Sequence, residues 1–226
     1  MKIGVLLSGC GVYDGAEIQE AVLTLLAIEE FGAEAICIAL DEDQYHVINH
    51  LTGEEMSEKR NMMIEAARIS RGQIAEISSV PISELDALVI PGGFGSAKNF
   101  TDWAFEGPNG SIHPKVKLLL VNLVNIGKPI VALCVSPVVL AKAFEGSTIH
   151  PYLTIGSDKF NSPYSIIDFS EGMKKAGAET MMKNVDDILI DAENKIISAP
   201  CYMMEASILD VRRNIQLAIN ALKGLI

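Results

Sequence analysis

The sequence has no apolar run longer than a strand. Its hydrophobic stretches are broken by glycine or charge, so neither a membrane span nor a signal peptide is expected. Its four cysteines, Cys10, Cys37, Cys134 and Cys201, include no C-x-x-C pair. That speaks against a disulfide framework or a zinc site and for thiols in a reducing compartment, either the cytoplasm or the mature form of an imported protein. Basic residues are in deficit: 18 Lys and Arg against 29 Asp and Glu leave a net charge of -11, unfavourable to nucleic acid and anionic membranes as partners. No Pro/Ser-rich linker, repeat or low-complexity tract interrupts the chain, so residues 1–226 are read as a single domain. His46, His50 and His113 show no ligand spacing, and no metal is expected. Gly9, Gly11 and Gly15 do not make G-x-G-x-x-G, which removes a dinucleotide site.

What is present is an alternation of strand and helix patterns. Apolar runs at 2–7, 34–40 and 85–90 read as strands, and helical periodicity covers 16–31 and 114–126. The helix at 16–31 is apolar nearly all round, the mark of a buried helix. Thr52-Gly53-Glu54-Glu55 has a capping-box pattern that predicts a helix to about residue 70, with mixed charges forming a solvated face. Further on, a strand at 153–157, a helix at 163–176, a hairpin across 187–199 and a last helix at 203–222 are expected. Such an alternation requires a parallel or mixed sheet covered on both faces. Right-handed crossovers then bring Gly9-Gly11, Gly92-Gly93 and Cys134 to one edge.

Cys134 stands where the run Ile130-Val131-Ala132-Leu133 ends and a helix with Pro137 in its first turn begins. A sharp strand-to-helix turn needs small neighbours two residues either side of its apex, here Ala132 and Ser136. A thiol at the apex faces unpaired helix N–H groups, which favour a thiolate and can hold an oxyanion. Spacing alone also admits a plain reading, in which Cys134 packs as a small hydrophobe. Glu17 and Glu20 lie in the first turn of the helix at 16–31. Ordinarily they would be favourable charges at its N-terminus; one that faced inward would be held protonated by desolvation.

Leu88-Val89-Ile90-Pro91-Gly92-Gly93, the elbow Ala132-Leu133-Cys134-Val135-Ser136-Pro137 and Gly15-Ala16-Glu17-Ile18-Gln19-Glu20 together resemble the ThiJ/PfpI superfamily, flavodoxin-like three-layer α/β/α domains of the class I glutamine amidotransferase-like group. Ser8 to Gly15, Val47 to Glu54 and Glu65 to Ile69 are similar to the enhancing lycopene biosynthesis (ElbB-like) branch. The resemblance implies that Cys134 is the reactive thiol and that Glu20 hydrogen-bonds it. It further implies an oxyanion hole from the amides of Gly93 and Val135, with Gly92 supporting the turn. Cys10 and Asn99 are candidate substrate contacts on the same edge, Cys10 being alternatively a packing residue or a second thiol. The implied activity is a cofactor-independent, glutathione-independent glyoxalase, a lyase acting on glyoxal or methylglyoxal, in a homodimer. A redox-sensing or regulatory protein linked to isoprenoid metabolism is the alternative. Protease-like members place a histidine after the cysteine, where this chain has Val135. His150 reads as a loop residue, and Gly156, Ser157 and Asp158 fall where relatives carry a third catalytic group.

Overall fold

A computed structural model describes residues 1–226. The chain opens with β1 (Lys2–Leu6), α1 (Ile18–Glu30) and β2 (Glu34–Ala39), then follows an irregular strap to α2 (Met62–Ile69) and β3 (Ala75–Glu76). β4 (Ala87–Ile90) leads through short helices α3 (Phe94–Lys98) and α4 (Trp103–Glu106) to α5 (Pro114–Asn125). β5 (Ile130–Leu133) feeds α6 (Pro137–Phe144), followed by β6 (Tyr152–Leu153), α7 (Ile166–Lys175) and β7 (Glu179–Thr180). The hairpin of β8 (Leu189–Asp191) and β9 (Ile196–Ala199) and the helix α8 (Ile208–Ala221) complete the fold.

Seven strands form one sheet in the order β3-β2-β1-β4-β5-β9-β8, parallel except that β8 runs antiparallel to β9. Val5, Val89, Val131 and Ile197 are in register across its centre and fully buried. Strands covered on both faces have no polar side to show, which is why β4 and β5 are unbroken apolar runs. α1 packs on α8 and α5 on α6, so the protein is a flavodoxin-like three-layer α/β/α sandwich. The carboxyl ends of β1, β4 and β5 stand side by side, and the turns leaving them build the site.

Five expectations need correction. No helix begins at Thr52: Asn49 N–H donates to Glu54 O (2.9 Å), Gly53 N–H to Asn49 O (2.7 Å) and Met56 N–H to Val47 O (2.8 Å). The backbone groups a helix would use are spent on this strap. The helix starts instead at Met62, where the Asn61 side chain accepts from Ile64 N–H. Its charged face is not wholly solvated either, because Glu65 is buried beneath Arg68 (2.9 Å) and Arg60 (3.7 Å). α1 is not buried all round, since Ile18, Val22 and Leu26 are exposed along one stripe. The strand at 153–157 shrinks to β6, which pairs with β7 in a separate small sheet. The last helix begins only at Ile208, where Ser207 and Asp210 form a reciprocal capping box.

Candidate active site

β5 delivers the chain to Cys134, whose φ of +56° lies in the left-handed region. For a residue with a Cβ that conformation costs on the order of 1–3 kcal/mol, so surrounding structure must enforce it. Cys134 N–H donates to Ala199 O in β9 (2.9 Å), and Ser136 N–H closes the turn onto Leu133 O (2.9 Å). Ser136 contributes more than small size. Its hydroxyl donates to Pro91 O (2.7 Å) and lies 3.0 Å from Ser96 Oγ, tying the elbow to the Pro-Gly-Gly turn after β4.

That turn is pressed against the thiol. A Cβ at Gly92 would lie 2.3 Å from Cys134 Cβ and 2.5 Å from Glu20 Oε2, and one at Gly93 (φ +98°) would lie 2.3 Å from Glu17 N. With no side chain in the way, the backbone N–H groups of Gly93 and Val135 act on the Cys134 sulfur and favour its charged form. Amides so placed are the kind of donor an oxyanion hole uses.

α1 brings Glu20 into this space, fully buried. Gly92 N–H donates to its Oε2 (3.0 Å) and Tyr202 N–H to its Oε1 (3.1 Å), and the carboxyl stands beside the Cys134 thiol across Gly92. Burial, reinforced by the neighbouring Glu17, pushes Glu20 up to about 8. Glu17 caps α1 by accepting from Glu20 N–H (2.6 Å), and burial raises its carboxyl as well. The thiol departs from the sequence reading: burial first, then the Glu20 charge, pushes Cys134 well above the ordinary thiol range. Helix amides therefore do not make a resting thiolate. Glu20 and Cys134 form a buried pair that keeps its protons at neutral pH and sheds the first as pH rises past the value of Glu20.

Cys134 opens on a narrow cavity of about 20 Å³ walled by Glu17, Phe94, Val135, Tyr164, Tyr202 and Met203. Burial raises the Tyr164 hydroxyl to about 12, so it is a neutral donor at pH 7. Glu17 as a cavity wall, both tyrosines and the Ser136 hydroxyl were not marked by the sequence. Tyr164 and Tyr202 follow no motif, so no pattern of residue types singles them out.

Two predicted contacts fall elsewhere. Cys10 is not in the cavity wall; it lies half-buried near Glu65, Arg68 and Asp14, where burial raises its thiol. The loop after β1 turns its side chain towards α2. Asn99 is a loop staple: its Nδ2 donates to Ser8 O (2.9 Å) and Asp14 O (3.0 Å), and its Oδ1 accepts from Tyr45 N–H (2.9 Å). His150 is an exposed loop residue against Gly177 O (2.9 Å). Gly156, Ser157 and Asp158 do not line the cavity. Each remaining histidine sits beside one carboxylate, His46 by Glu55, His50 by Asp14 and His113 by Glu42, and no cluster of three ligand-type side chains forms.

No family model matches the chain. It is similar to the human glutamine amidotransferase-like class 1 domain-containing protein 3, mitochondrial, at 36% identity over 211 residues, 92% of this chain and 76% of the relative. The rat ES1 protein homolog, mitochondrial, is 36% identical over 92% of this chain and 77% of its own. Among solved structures, the isoprenoid biosynthesis protein with amidotransferase-like domain from Ehrlichia chaffeensis superposes over 100% of both chains with a TM-score of 0.89 and 33% identity. No helix is long and apolar enough to cross a membrane.

Proposed function

The chain belongs to the glutamine amidotransferase-like class 1 domain (ES1) family within the ThiJ/PfpI superfamily, and on that premise we propose that it is a cofactor-independent glyoxalase using Cys134 on small 2-oxoaldehydes. The observation that carries this reading is the placement of the Glu20 carboxyl. It is fixed by two backbone N–H groups beside a thiol whose charged form the amides of Gly93 and Val135 favour. With Glu20 as a carboxylate, the thiol proton passes to it as the sulfur adds to the aldehyde carbon, and Glu20 hands that proton to the oxygen of the resulting hemithioacetal, which faces Gly93 and Val135 N–H. Glu20, again a carboxylate, takes the proton from that carbon and returns it to the adjacent carbonyl carbon, while the hydroxyl proton moves from the hemithioacetal oxygen to the neighbouring one. The result is a thioester of the 2-hydroxy acid, with no net oxidation. Water then attacks the thioester, releasing the hydroxy acid and restoring the thiol.

Turnover is expected to be slow, because Val135 occupies the place of a histidine that would add about 100- to 10,000-fold. A second reading, a regulatory thiol without turnover in the setting of isoprenoid metabolism, draws on the tightness of the cavity around Cys134, which is only 6% exposed. The Ehrlichia relative carries isoprenoid biosynthesis in its name. Four free cysteines suit a reducing compartment, the cytoplasm or, as in the relatives' names, the mitochondrion. The apolar stripe Ile18, Val22 and Leu26 is the face we assign to a homodimer. Steady-state turnover of glyoxal and methylglyoxal, without metal or glutathione, decides between the readings. The enzyme reading requires weak activity that Cys134→Ser abolishes; no activity, with Cys134 still alkylated by iodoacetamide, favours the regulatory one.

A further inference from the structure

A second, larger cavity adjoins the thiol. It is an open groove of about 430 Å³, within the size range of small-ligand sites, and its walls include Tyr13, Ile48, Phe94, Lys98, Trp103 and Phe169. Phe94 and Phe169 also line the cavity of Cys134, so the two spaces are neighbours that share these rings. The walls are set rather than loose. Trp103 is buried against the Gly172 turn of α7, and Tyr13 stacks on His50 (4.9 Å) while its backbone N–H donates to His50 Nε2 (3.2 Å). The one cation, Lys98, already donates to Tyr13 O (2.9 Å) and lies 5.8 Å from the Phe94 ring, so it closes the wall instead of reaching for an anion.

We infer that this aromatic groove is the subsite for the substituent of the 2-oxoaldehyde, and that the preferred substrates carry an aromatic or branched apolar group. The inference rests on the glyoxalase reading for its chemistry. The cavity at Cys134, about 20 Å³, has room for little beyond the reacting carbonyl, and the larger space next to it is the one that shares Phe94 and Phe169 with it. A methyl group leaves the groove to water; a phenyl ring reaches into it and lies against its aromatic walls. Because one methylene in an apolar pocket is already worth about tenfold or more in discrimination, the effect is measurable.

The test compares phenylglyoxal with methylglyoxal and follows binding of mandelate, the corresponding aromatic hydroxy acid, through the emission of Trp103, the only tryptophan. Wild type should use phenylglyoxal with kcat/KM at least about tenfold higher. Ala104→Phe, at an exposed position on the groove wall, should lower phenylglyoxal kcat/KM by about tenfold and leave methylglyoxal within about twofold. Mandelate should change Trp103 emission saturably in wild type and not in Ala104→Phe. Equal kcat/KM for the two aldehydes overturns the inference, and so does flat Trp103 emission. If neither aldehyde turns over, the glyoxalase reading has failed by itself, and the mandelate titration of wild type still decides whether the groove is a ligand site.

Discussion

Cys134 and Cys10 leave the carboxyl ends of β5 and β1, two parallel strands with only β4 between them. Both lie in turns of small residues, and both thiols are raised by burial. Their surroundings differ in kind. Around Cys134 the chain turns backbone towards the sulfur: the amides of Gly93 and Val135 favour its charged form, a buried carboxyl stands beside it, and the residue is held at positive φ. Around Cys10 the neighbours are the side chains of an ion pair, Glu65 and Arg68, and it lines neither the Cys134 cavity nor the aromatic groove. A thiol at the functional edge of a parallel sheet is therefore not by that fact a functional thiol. What matters is whether the turn aims N–H groups at it.

The sharpest way to break this contrast is to exchange each sulfur for oxygen. Cys134→Ser should abolish glyoxal turnover, whereas Cys10→Ser should change it by less than about twofold. A large loss in Cys10→Ser would return that residue to the site. Next in size, Glu20→Gln keeps the shape but removes the proton carrier and should lower kcat by about 100- to 10,000-fold in the same assay. Gly92→Ala should follow: its Cβ would fall on Cys134 and Glu20, and a displacement of about 1 Å in such a pair costs on the order of 100-fold in kcat/KM. The smallest effect concerns stability and separates a buried carboxyl from a solvated one. Glu20 is raised from 4.5 to about 8, so between those values the unfolded chain has released a proton that the folded chain retains. Its favourable contribution is fully present below pH 4.5 and is lost as pH rises to about 8, at up to about 1.4 kcal/mol per pH unit. Urea unfolding of wild type and Glu20→Gln across pH 5–8 should show that slope only in wild type; parallel curves would mean that Glu20 is charged in the fold.

Much of this site was readable from short-range patterns. The Cys134 elbow, the Pro91-Gly92-Gly93 turn and the 114–126 helix all appear close to where their residues point, because strand apolarity, a proline in a first helical turn and glycines after a strand act over a few residues. The strap shows where that logic stops. Thr52 to Glu55 spells a capping box, yet hydrogen bonds to Val47 and Asn49 take the backbone first. Cys10 and Asn99 failed for a related reason: the strands place a loop at an edge, but the direction of its side chains follows from what packs beside it.

The sequence by itself determined that a thiol stands at a strand-to-helix elbow in a parallel α/β fold, with two glutamates one helical turn apart at the start of the first helix. Short-range patterns left Glu17 and Glu20 equal, and the tertiary structure is what turns Glu20 towards the thiol, since the face α1 turns inward is set by its packing on α8 and the sheet. The same holds for the groups that hold Glu20 in place, which lie 72 and 182 residues away at Gly92 and Tyr202. It holds too for the groove, whose walls come from the loop after β1, the strap, the segment after β4 and α7. Desolvation of a carboxyl and the aim of a backbone N–H are properties of the assembled interior, and no local pattern of residue types encodes them.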